Sequence, residues 1–266
     1  MLKHKEAHCD DQMSKTNNTY SIPYDLSAPL PVVERFISIN GEGRQAGKLA
    51  AFVRFAGCNL KCSYCDTSWA NVSHVPHEDL SVPDVVAYVR AAQTECITLT
   101  GGEPLLQSEL PTLVHALLAL PIEASAPMGR WIEIETNGSV SLEPLCRIRE
   151  SFQGTRGQRG NQLSFTMDYK GPSSGMEHKM CRSNFDCLES CDTVKFVVGS
   201  QEDLVTMAHV VRQYSLTDRC AVFVSPVFGV IDPADIVDFI KDQKLARVRL
   251  QVQLHKVLWP QCEKGV

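Results

Sequence analysis

The sequence predicts an α/β protein folded as an open, partial (β/α)6 barrel of the TIM type, with one additional N-terminal strand. Apolar runs typical of strands alternate along the chain with amphipathic helical patterns, which implies parallel strands joined by right-handed crossovers. Glycine and polar residues collect where these runs end, and a barrel of this kind keeps its active site at that edge. Apart from the additional N-terminal strand, six or seven strands are predicted rather than the eight of a closed barrel, so we expect the barrel to stay open.

The individual elements follow from local composition and turn signals. Strands are expected over residues 32–39, 51–55, 96–99, 131–135, 163–167, 193–198, 221–224 and 247–254. Helices are expected from an N-cap at Ser81 to about residue 94, and over 109–120, 202–214 and 233–243. The Ser81 hydroxyl can accept a hydrogen bond from the first turn of its helix. Pro83 in that helix and Pro233 in the last predicted helix lie in first turns, where proline is tolerated.

Length and composition favour one globular domain over residues 31–266, preceded by a polar arm, residues 1–30, that is mobile or loosely docked. The net charge of -5 argues against a dedicated nucleic-acid binder. We find neither an apolar run of about 18 residues nor a signal-peptide pattern, so a cytoplasmic protein without membrane insertion is expected. The scattered cysteines also fit a reducing compartment.

Basic residues gather in the second half of the chain. They form either a solvated loop region, which we favour, or a docking patch for an acidic electron carrier. The residues concerned are Arg147, Arg149, Arg156, Arg159, Lys170, Lys179 and Arg182.

Three cysteines, Cys58, Cys62 and Cys65, lie within eight residues directly after the predicted strand 51–55. Their spacing brings three thiolates to one loop, and thiolates bind iron or zinc well. A structural zinc site would need a fourth ligand, for which His74 or His77 are the nearby alternatives. A four-iron cubane held by three cysteines would instead leave one iron open to a ligand.

A second motif, TGGEP at 100–104, follows the predicted strand 96–99. In this order, the cysteine loop and the Gly-Gly-Glu-Pro turn resemble the radical S-adenosylmethionine (SAM) superfamily. That resemblance implies that the cysteines hold a [4Fe-4S] cluster, that SAM chelates the open iron, and that the second motif binds the SAM amino group. It also implies the open partial barrel as the core fold.

Further segments narrow the resemblance to the 7-carboxy-7-deazaguanine synthase family, over about residues 33–260. They are INGEG at 39–43, FVRFAGCNLKCSYCDT at 52–67, ETNG at 135–138 and QLHK at 253–256. The family's reaction is the ring contraction of 6-carboxy-5,6,7,8-tetrahydropterin to 7-carboxy-7-deazaguanine with loss of ammonia, in queuosine and 7-deazapurine biosynthesis. The resemblance also implies a carbon–nitrogen lyase, a homodimer and a low-potential electron donor of the flavodoxin or ferredoxin type.

The same resemblance implies roles for individual residues. Cys58, Cys62 and Cys65 correspond to the cluster ligands and Thr67 to a Mg²⁺ ligand, a hard cation that suits a hydroxyl oxygen. The substrate contacts implied are Ile39, Asn40, Gly41, Arg54, Thr100 and Pro260. The SAM contacts implied are Tyr64, Cys65, Asp66, Gly102, Glu103, Asp168, Tyr169, Lys170, Ser225, Pro226, Val227 and Phe228.

This sequence departs from the family pattern at three places. The family more often has glutamine where Asn40 stands, residues 225–228 differ from the usual turn, and six residues follow Pro260 here. Arg54 could alternatively pair with a buried carboxylate such as Glu42, and Thr67 could be a helix cap. We assign no catalytic role to His255.

Two other functions remain open from the sequence alone. A glycyl-radical-enzyme activating protein shares a similar cysteine loop, and a zinc- or cluster-binding module would carry out no reaction. Cys181, Cys187 and Cys191 could hold an auxiliary cluster, although their spacing also suits buried thiols. Cys96, Cys146 and Cys220 are expected to be packing residues.

Overall fold

Nine strands make up the sheet of this computed structural model, which describes residues 28–72, 74–152, 160–262 and 264–265. In chain order they are β1 (Leu30–Ile39), β2 (Leu49–Phe55), β3 (Glu78–Leu80), β4 (Cys96–Gly101), β5 (Trp131–Thr136), β6 (Gln162–Tyr169), β7 (Thr193–Val198), β8 (Ala221–Pro226) and β9 (Val248–Leu250).

The strands form a single open sheet in the order β3-β1-β2-β4-β5-β6-β7-β8-β9. From β2 to β9 all neighbours are parallel, whereas β1 runs antiparallel to both β2 and β3. The described strands β3 and β9 lie at opposite edges and do not pair with each other. The predicted open α/β fold with an N-terminal strand is therefore confirmed.

Seven α-helices accompany the sheet in the described ranges: α1 (Val82–Ala92), α2 (Leu110–Leu118), α3 (Glu143–Phe152), α4 (Gln201–Gln213), α5 (Leu216–Arg219), α6 (Pro233–Asp242) and α7 (Leu254–Leu258). The predicted N-cap of α1 is confirmed, since Ser81 and Asp84 form a reciprocal capping box. None of these helices is both long and apolar enough to cross a bilayer.

The core lies between the sheet and its helices, and alternate residues of the central strands supply it. Ile97, Leu99, Ile132 and Phe165 belong to one continuous apolar cluster. Because successive side chains of a strand point to opposite faces, their neighbours point to the other side of the sheet. Those neighbours include polar residues that are buried nevertheless, among them Thr98, Glu133 and Thr166.

The predicted last strand, 247–254, is wrong in extent. β9 ends at Leu250 because the chain then turns toward the loop that follows β1. Gln251 exchanges two hydrogen bonds with the backbone of Gly43, at 2.7 and 3.2 Å, and the Leu254 amide donates to the Gly41 carbonyl. These contacts connect the two ends of the sheet, and α7 begins at Leu254.

The favoured interpretation of the basic region as a solvated loop is also wrong in part. Residues 143–152 form α3, and Arg149 is buried, with both carboxylate oxygens of Asp192 within 2.9 Å of its Nη1. Lys170 is mostly buried as well. Arg156 and Arg159 lie outside the described residues, as do residues 1–27 of the predicted arm. The short edge strand β3 was not predicted.

Candidate active site

A cavity of about 730 Å³ opens at the carboxyl ends of the parallel strands, where the sequence predicted the site. Residues from β2, β4, β5, β6 and β7 contribute to its wall, as does the segment around α7. Of the predicted site residues, those that line it are Ile39, Gly41, Arg54, Cys58, Cys62, Tyr64, Cys65, Asp66, Thr67, Thr100, Gly102, Asp168, Lys170, Val227, Phe228 and Pro260.

The cysteine loop and the Gly-Gly-Glu-Pro turn are packed directly against each other. The Gly102 amide donates to the Phe55 carbonyl, and the Glu103 amide donates to the Gly57 carbonyl at 2.9 Å. A Cβ atom on Gly102 would lie only 2.0 Å from the Gly57 carbonyl oxygen. Only glycine allows this approach, so the two motifs form one wall of the cavity.

The thiols of this loop are supplied with hydrogen-bond donors. The Leu60 amide and the Asn137 side chain lie 3.4 and 3.5 Å from Cys58 Sγ, and Asn71 Nδ2 lies 3.7 Å from Cys65 Sγ. Burial raises the pKa of the Cys65 thiol, so a free thiol here stays protonated. A bound metal would reverse that preference, and the donors would then stabilise thiolate ligands.

This arrangement suits an iron–sulfur cluster better than a single zinc ion. Among the residues that the structure describes, no three His, Cys, Asp or Glu side chains converge on a position for one ion. A cubane is larger, and each of its cysteines binds a different iron. His77 Nδ1 contacts the Val75 carbonyl instead, and neither His74 nor His77 lines the cavity.

The Glu103 side chain is directed into the protein, although the resemblance implied a cofactor contact. It is fully buried; its Oε1 accepts from the Leu105 amide and Thr136 Oγ1, and its Oε2 accepts from the Asn137 amide. Burial raises the pKa of this carboxyl to about 7. The side chain therefore anchors the turn to β5, and the turn presents Gly101 and Gly102 to the cavity.

Alternating acids and lysines line one side of the cavity. Asp168 Oδ2 lies 2.9 Å from Lys170 Nζ and 3.6 Å from Lys195 Nζ, and Lys195 also bonds Glu42 at 3.0 Å. Burial opposes the charge on Lys195, but Glu42 and Asp168 outweigh burial and raise its pKa well above the ordinary value. Glu42, Lys170 and Lys195 are therefore ionised, since their pKa values are shifted toward the charged forms.

One acceptor in this group has no partner. Asp168 Oδ1 is buried, and none of the described residues donates a hydrogen bond to it. Leaving a buried carboxylate oxygen unpaired costs free energy, so a donor from a bound molecule is expected beside it. Hydroxyl and ammonium groups are donors of the required kind.

Sequence reasoning missed Lys195 as a residue of the cavity wall. Lys195 lies inside an otherwise apolar strand, where an unpaired charge would be costly, so it must have a partner or a function. That signal was available in the sequence. Its partner Glu42 was not predictable, because the two residues are 153 positions apart.

Several predicted contacts do not reach the cavity wall through their side chains. Tyr169 points away from the side that carries Asp168, is buried, and donates to Glu177 at 3.0 Å. Ser225 Oγ donates to Glu42 at 2.7 Å. Asn40 accepts from Thr98, and Pro226 is buried. These residues would contact a ligand through their backbone atoms, or they would act indirectly by supporting residues that contact it.

Arg54 and Thr67 were each given a second interpretation, and His255 was assigned no catalytic role; the structure shows the surroundings of all three. Arg54 does pair with a carboxylate, but this is Glu34 and not Glu42. Thr67 precedes the 3-10 turn Ser68–Asn71 without making a side-chain cap, and it donates to Asp66 at 3.0 Å. His255 lies beside Gly41, where a Cβ would come within 2.4 Å of its Nδ1. Burial lowers the pKa of His255.

Among the described residues, the remaining cysteines do not line the cavity, apart from Cys262. Cys181 contacts Ser183, and Cys191 lies beside Asp192. Cys187 accepts a bond from Cys146 through its carbonyl rather than its thiol. The expectation that Cys96, Cys146 and Cys220 pack in the interior is confirmed.

The fold and this site agree with one class of enzyme. Residues 52–155, which include both motifs, match the Radical SAM superfamily. The protein in "Crystal structure of QueE from Escherichia coli" has a similar fold, with a TM-score of 0.59, 19% sequence identity, and coverage of 85% of this chain and 94% of that one. The chain is a radical SAM protein, a class that uses a [4Fe-4S] cluster and SAM.

Sequence similarity to characterised relatives is more specific. The chain is 44% identical over 235 residues to 7-carboxy-7-deazaguanine synthase of Clostridium acetobutylicum, covering 88% of this chain and 98% of that protein. The enzyme of the same name from Methanospirillum hungatei is 34% identical, covering 89% and 88% of the two chains, and that of Chlorobaculum tepidum is 32% identical, covering 90% and 98%. The chain belongs to the 7-carboxy-7-deazaguanine synthase family.

Proposed function

We propose that the protein catalyses the ring contraction of 6-carboxy-5,6,7,8-tetrahydropterin to 7-carboxy-7-deazaguanine, a carbon–nitrogen lyase reaction on the route to queuosine. Relatives that align with this chain over most of their length carry that enzyme's name. The observation that carries the proposal is that the three cluster-loop thiols and Arg54 line the same cavity. Substrate minus ammonia has the composition of the product, so the reaction is redox-neutral overall.

Cys58, Cys62 and Cys65 would hold the cluster, and Asn71 and Asn137 would donate hydrogen bonds to its sulfur ligands. When bound, the cluster and SAM supply a low-potential electron and a hydrogen-abstracting radical.

SAM carries a hydroxyl-rich ribose and an ammonium group, both of which can donate to Asp168 Oδ1. Gly101 and Gly102 line the part of the wall against which the cofactor would bind. Val227 and Phe228 add an apolar surface at the cavity rim, which helps to exclude water from the reacting centre.

Arg54 would bind the substrate carboxylate, since a guanidinium can donate two parallel hydrogen bonds to a carboxylate. Thr100, Ile39 and Gly41 line the neighbouring wall and would orient the pterin ring. Thr67 would contribute a hydroxyl oxygen to a Mg²⁺ ion shared with that carboxylate. The ion's task would be to fix the carboxylate while the ring rearranges.

The resemblance supports further, coarser proposals. We expect a flavodoxin- or ferredoxin-type electron donor, a homodimer and a cytoplasmic location, with no direct binding to nucleic acid. A glycyl-radical activase would need a protein substrate, and the buried, charge-lined cavity suits a small polar molecule better.

The direct test is anaerobic incubation of the reconstituted protein with SAM, dithionite, Mg²⁺ and the carboxypterin, followed by mass spectrometry of the products. Formation of 7-carboxy-7-deazaguanine with ammonia, and a loss of rate when Mg²⁺ is chelated, are expected. SAM cleavage without any deazapurine product would overturn the assignment. Radical formation on an added protein would favour the activase instead.

A further inference from the structure

Glu34 and Arg54 face each other on adjacent antiparallel strands. The register pairs Glu34 of β1 directly with Arg54 of β2, one step after Val32 pairs with Phe55. The extra residue between the two pairs makes a bulge in β1, and bulges next to active sites commonly redirect a side chain. The result is a largely buried ion pair, in which the Arg54 side chain is 15% exposed and the Glu34 side chain 14% exposed.

The contact uses only one edge of the guanidinium. Arg54 Nε donates to Glu34 Oε1 at 2.6 Å, and among the described residues this is the hydrogen bond that the Arg54 side chain makes. A carboxylate that bound the arginine side-on would have occupied a terminal nitrogen as well. Both terminal nitrogens of Arg54 are therefore left for a molecule in the cavity, which Arg54 lines and Glu34 does not.

Glu34 is itself held from the other side. Its second oxygen, Oε2, accepts a hydrogen bond from the Gly265 amide at 3.2 Å. The same segment contributes Pro260 and Cys262 to the cavity wall, and Lys264 Nζ lies 4.3 Å from the centre of the Trp69 ring. Because both of its oxygens accept hydrogen bonds, the Glu34 carboxylate has a fixed orientation. Its hydrogen bond from Nε then fixes the orientation of the Arg54 guanidinium.

We infer that Glu34 is a positioning residue: it fixes the Arg54 guanidinium so that the two terminal nitrogens receive the substrate carboxylate. The inference rests on the proposed function, which assigns that carboxylate to Arg54. A free arginine side chain would have to lose rotamer freedom when the substrate binds, and a pre-oriented one does not. Glu34 should therefore matter for ligands that carry the carboxylate and not for those that lack it.

The test compares two stable probes, pterin-6-carboxylate and unsubstituted pterin, by calorimetric titration of the anaerobic, reconstituted protein with SAM and Mg²⁺. The measured quantity is the ratio of their dissociation constants, which reports preference for the carboxylate. We expect wild type to prefer pterin-6-carboxylate by about tenfold or more, and Arg54→Ala to abolish that preference. Glu34→Ala should remove most of it, with little change in the affinity for pterin.

A conservative variant and a matched control sharpen the result. Glu34→Gln keeps an oxygen that can accept from Arg54 Nε, so it should retain more of the preference than Glu34→Ala. Glu78→Ala removes the partner of Arg35, an exposed cross-strand pair of the same sheet edge, and should leave the preference at the wild-type value.

The outcomes separate this inference from the proposed function. If Arg54→Ala loses the preference but Glu34→Ala keeps it, or if Glu34→Ala weakens both probes equally, the positioning role is wrong and the assignment of Arg54 stands. If wild type shows no preference, the role of Arg54 fails and this inference fails with it, whereas product analysis still tests the reaction. Should Glu34→Ala not fold, an unchanged preference in Glu34→Gln would overturn the inference.

Discussion

The cavity and the surroundings of α3 both combine thiols with a buried ion pair, yet they differ in how completely the protein satisfies the carboxylate of that pair. At α3, Asp192 is fully buried and accepts from Arg149, from the Phe165 amide and from the Glu189 amide. Both of its oxygens are occupied. At the cavity, Asp168 pairs with Lys170 through one oxygen, and the other has no partner among the described residues.

This difference teaches that a buried charge is not by itself a sign of function. The Arg149–Asp192 pair holds α3 to the turn before β7, and its other hydrogen-bond partners are backbone groups and the Cys191 thiol. Arg149 Nε has no hydrogen-bond partner among the described residues, but it does not line the cavity. Asp168 lines the cavity, and its buried Oδ1 has no partner among the described residues. An unsatisfied atom beside a cavity is therefore more informative about ligand binding than the presence of a charge.

The largest expected effect separates the two sets of thiols. Cys62→Ala should lower the iron content of anaerobically reconstituted protein severely and reduce turnover by about a thousandfold or more, because the cluster loses a ligand. Cys191→Ala, beside Asp192, should keep iron and turnover near wild type. Iron analysis and product formation measure both. Equal iron loss in the two variants would show that the comparison is wrong.

For folding stability, the larger effect is expected at the α3 ion pair rather than at the cavity. Asp192→Ala leaves the buried Arg149 with Glu189, 3.5 Å away and partly exposed, as its remaining carboxylate partner, which should cost about 3–5 kcal/mol of folding free energy and lower Tm by about 10 °C. Asp186→Ala breaks the exposed pair with Arg219 and should cost less than about 1 kcal/mol. Thermal unfolding under anaerobic conditions measures this. A small Tm change in Asp192→Ala would contradict a structural role for the pair.

A smaller effect is expected on the cavity side. Asp168→Asn keeps the size of the side chain but removes its charge, so SAM affinity should fall by about tenfold. Tm should fall as well, because Lys170 loses the carboxylate charge that lies 2.9 Å from its Nζ. Equilibrium binding of SAM to the reconstituted protein measures the first quantity. Asp238→Asn, in the exposed pair with Lys241, is the control and should bind SAM like wild type. Unchanged SAM affinity in Asp168→Asn would remove Asp168 from the proposed site.

The smallest effect concerns Glu133, a buried carboxyl behind the cavity that bonds Thr166. Burial, together with the charge of Glu135, raises its pKa to about 7. The folded state therefore binds a proton that the unfolded state releases near pH 4.5, and folding stability falls as pH rises from about 4.5 to about 7.

Glu133→Gln removes this titration and keeps a side chain that can hydrogen-bond. The stability of the variant minus that of wild type should be about 1–2 kcal/mol greater at pH 8 than at pH 5. Tm measured at the two pH values tests the sign. Because Glu103 also has a pKa raised to about 7, part of the wild-type pH dependence should persist. A variant that gains no stability at pH 8 would show that folding does not raise the pKa of Glu133.

Much of the fold could be predicted because its signals are local. Strand β7 was predicted at its observed bounds, and Ser81 was correctly identified as a helix N-cap. The end of β9 could not be predicted, because residues 247–254 alternate between polar and apolar side chains as in a strand. Only the Gln251–Gly43 contact, which is distant in sequence, turns the chain away from the sheet. The burial of Arg149 was missed for the same reason: its partner Asp192 is distant in sequence.

The sequence by itself determined the chemistry of this protein. Three cysteines within eight residues and a Gly-Gly turn define a cluster loop and a close backbone approach, because ligand identity and spacing are properties of neighbouring residues. Only the tertiary structure decided which polar groups remain free for ligands. It engages both oxygens of Glu103, pairs Glu42 with Lys195, and leaves Asp168 Oδ1 open, because a hydrogen bond depends on distances between strands that no local pattern records.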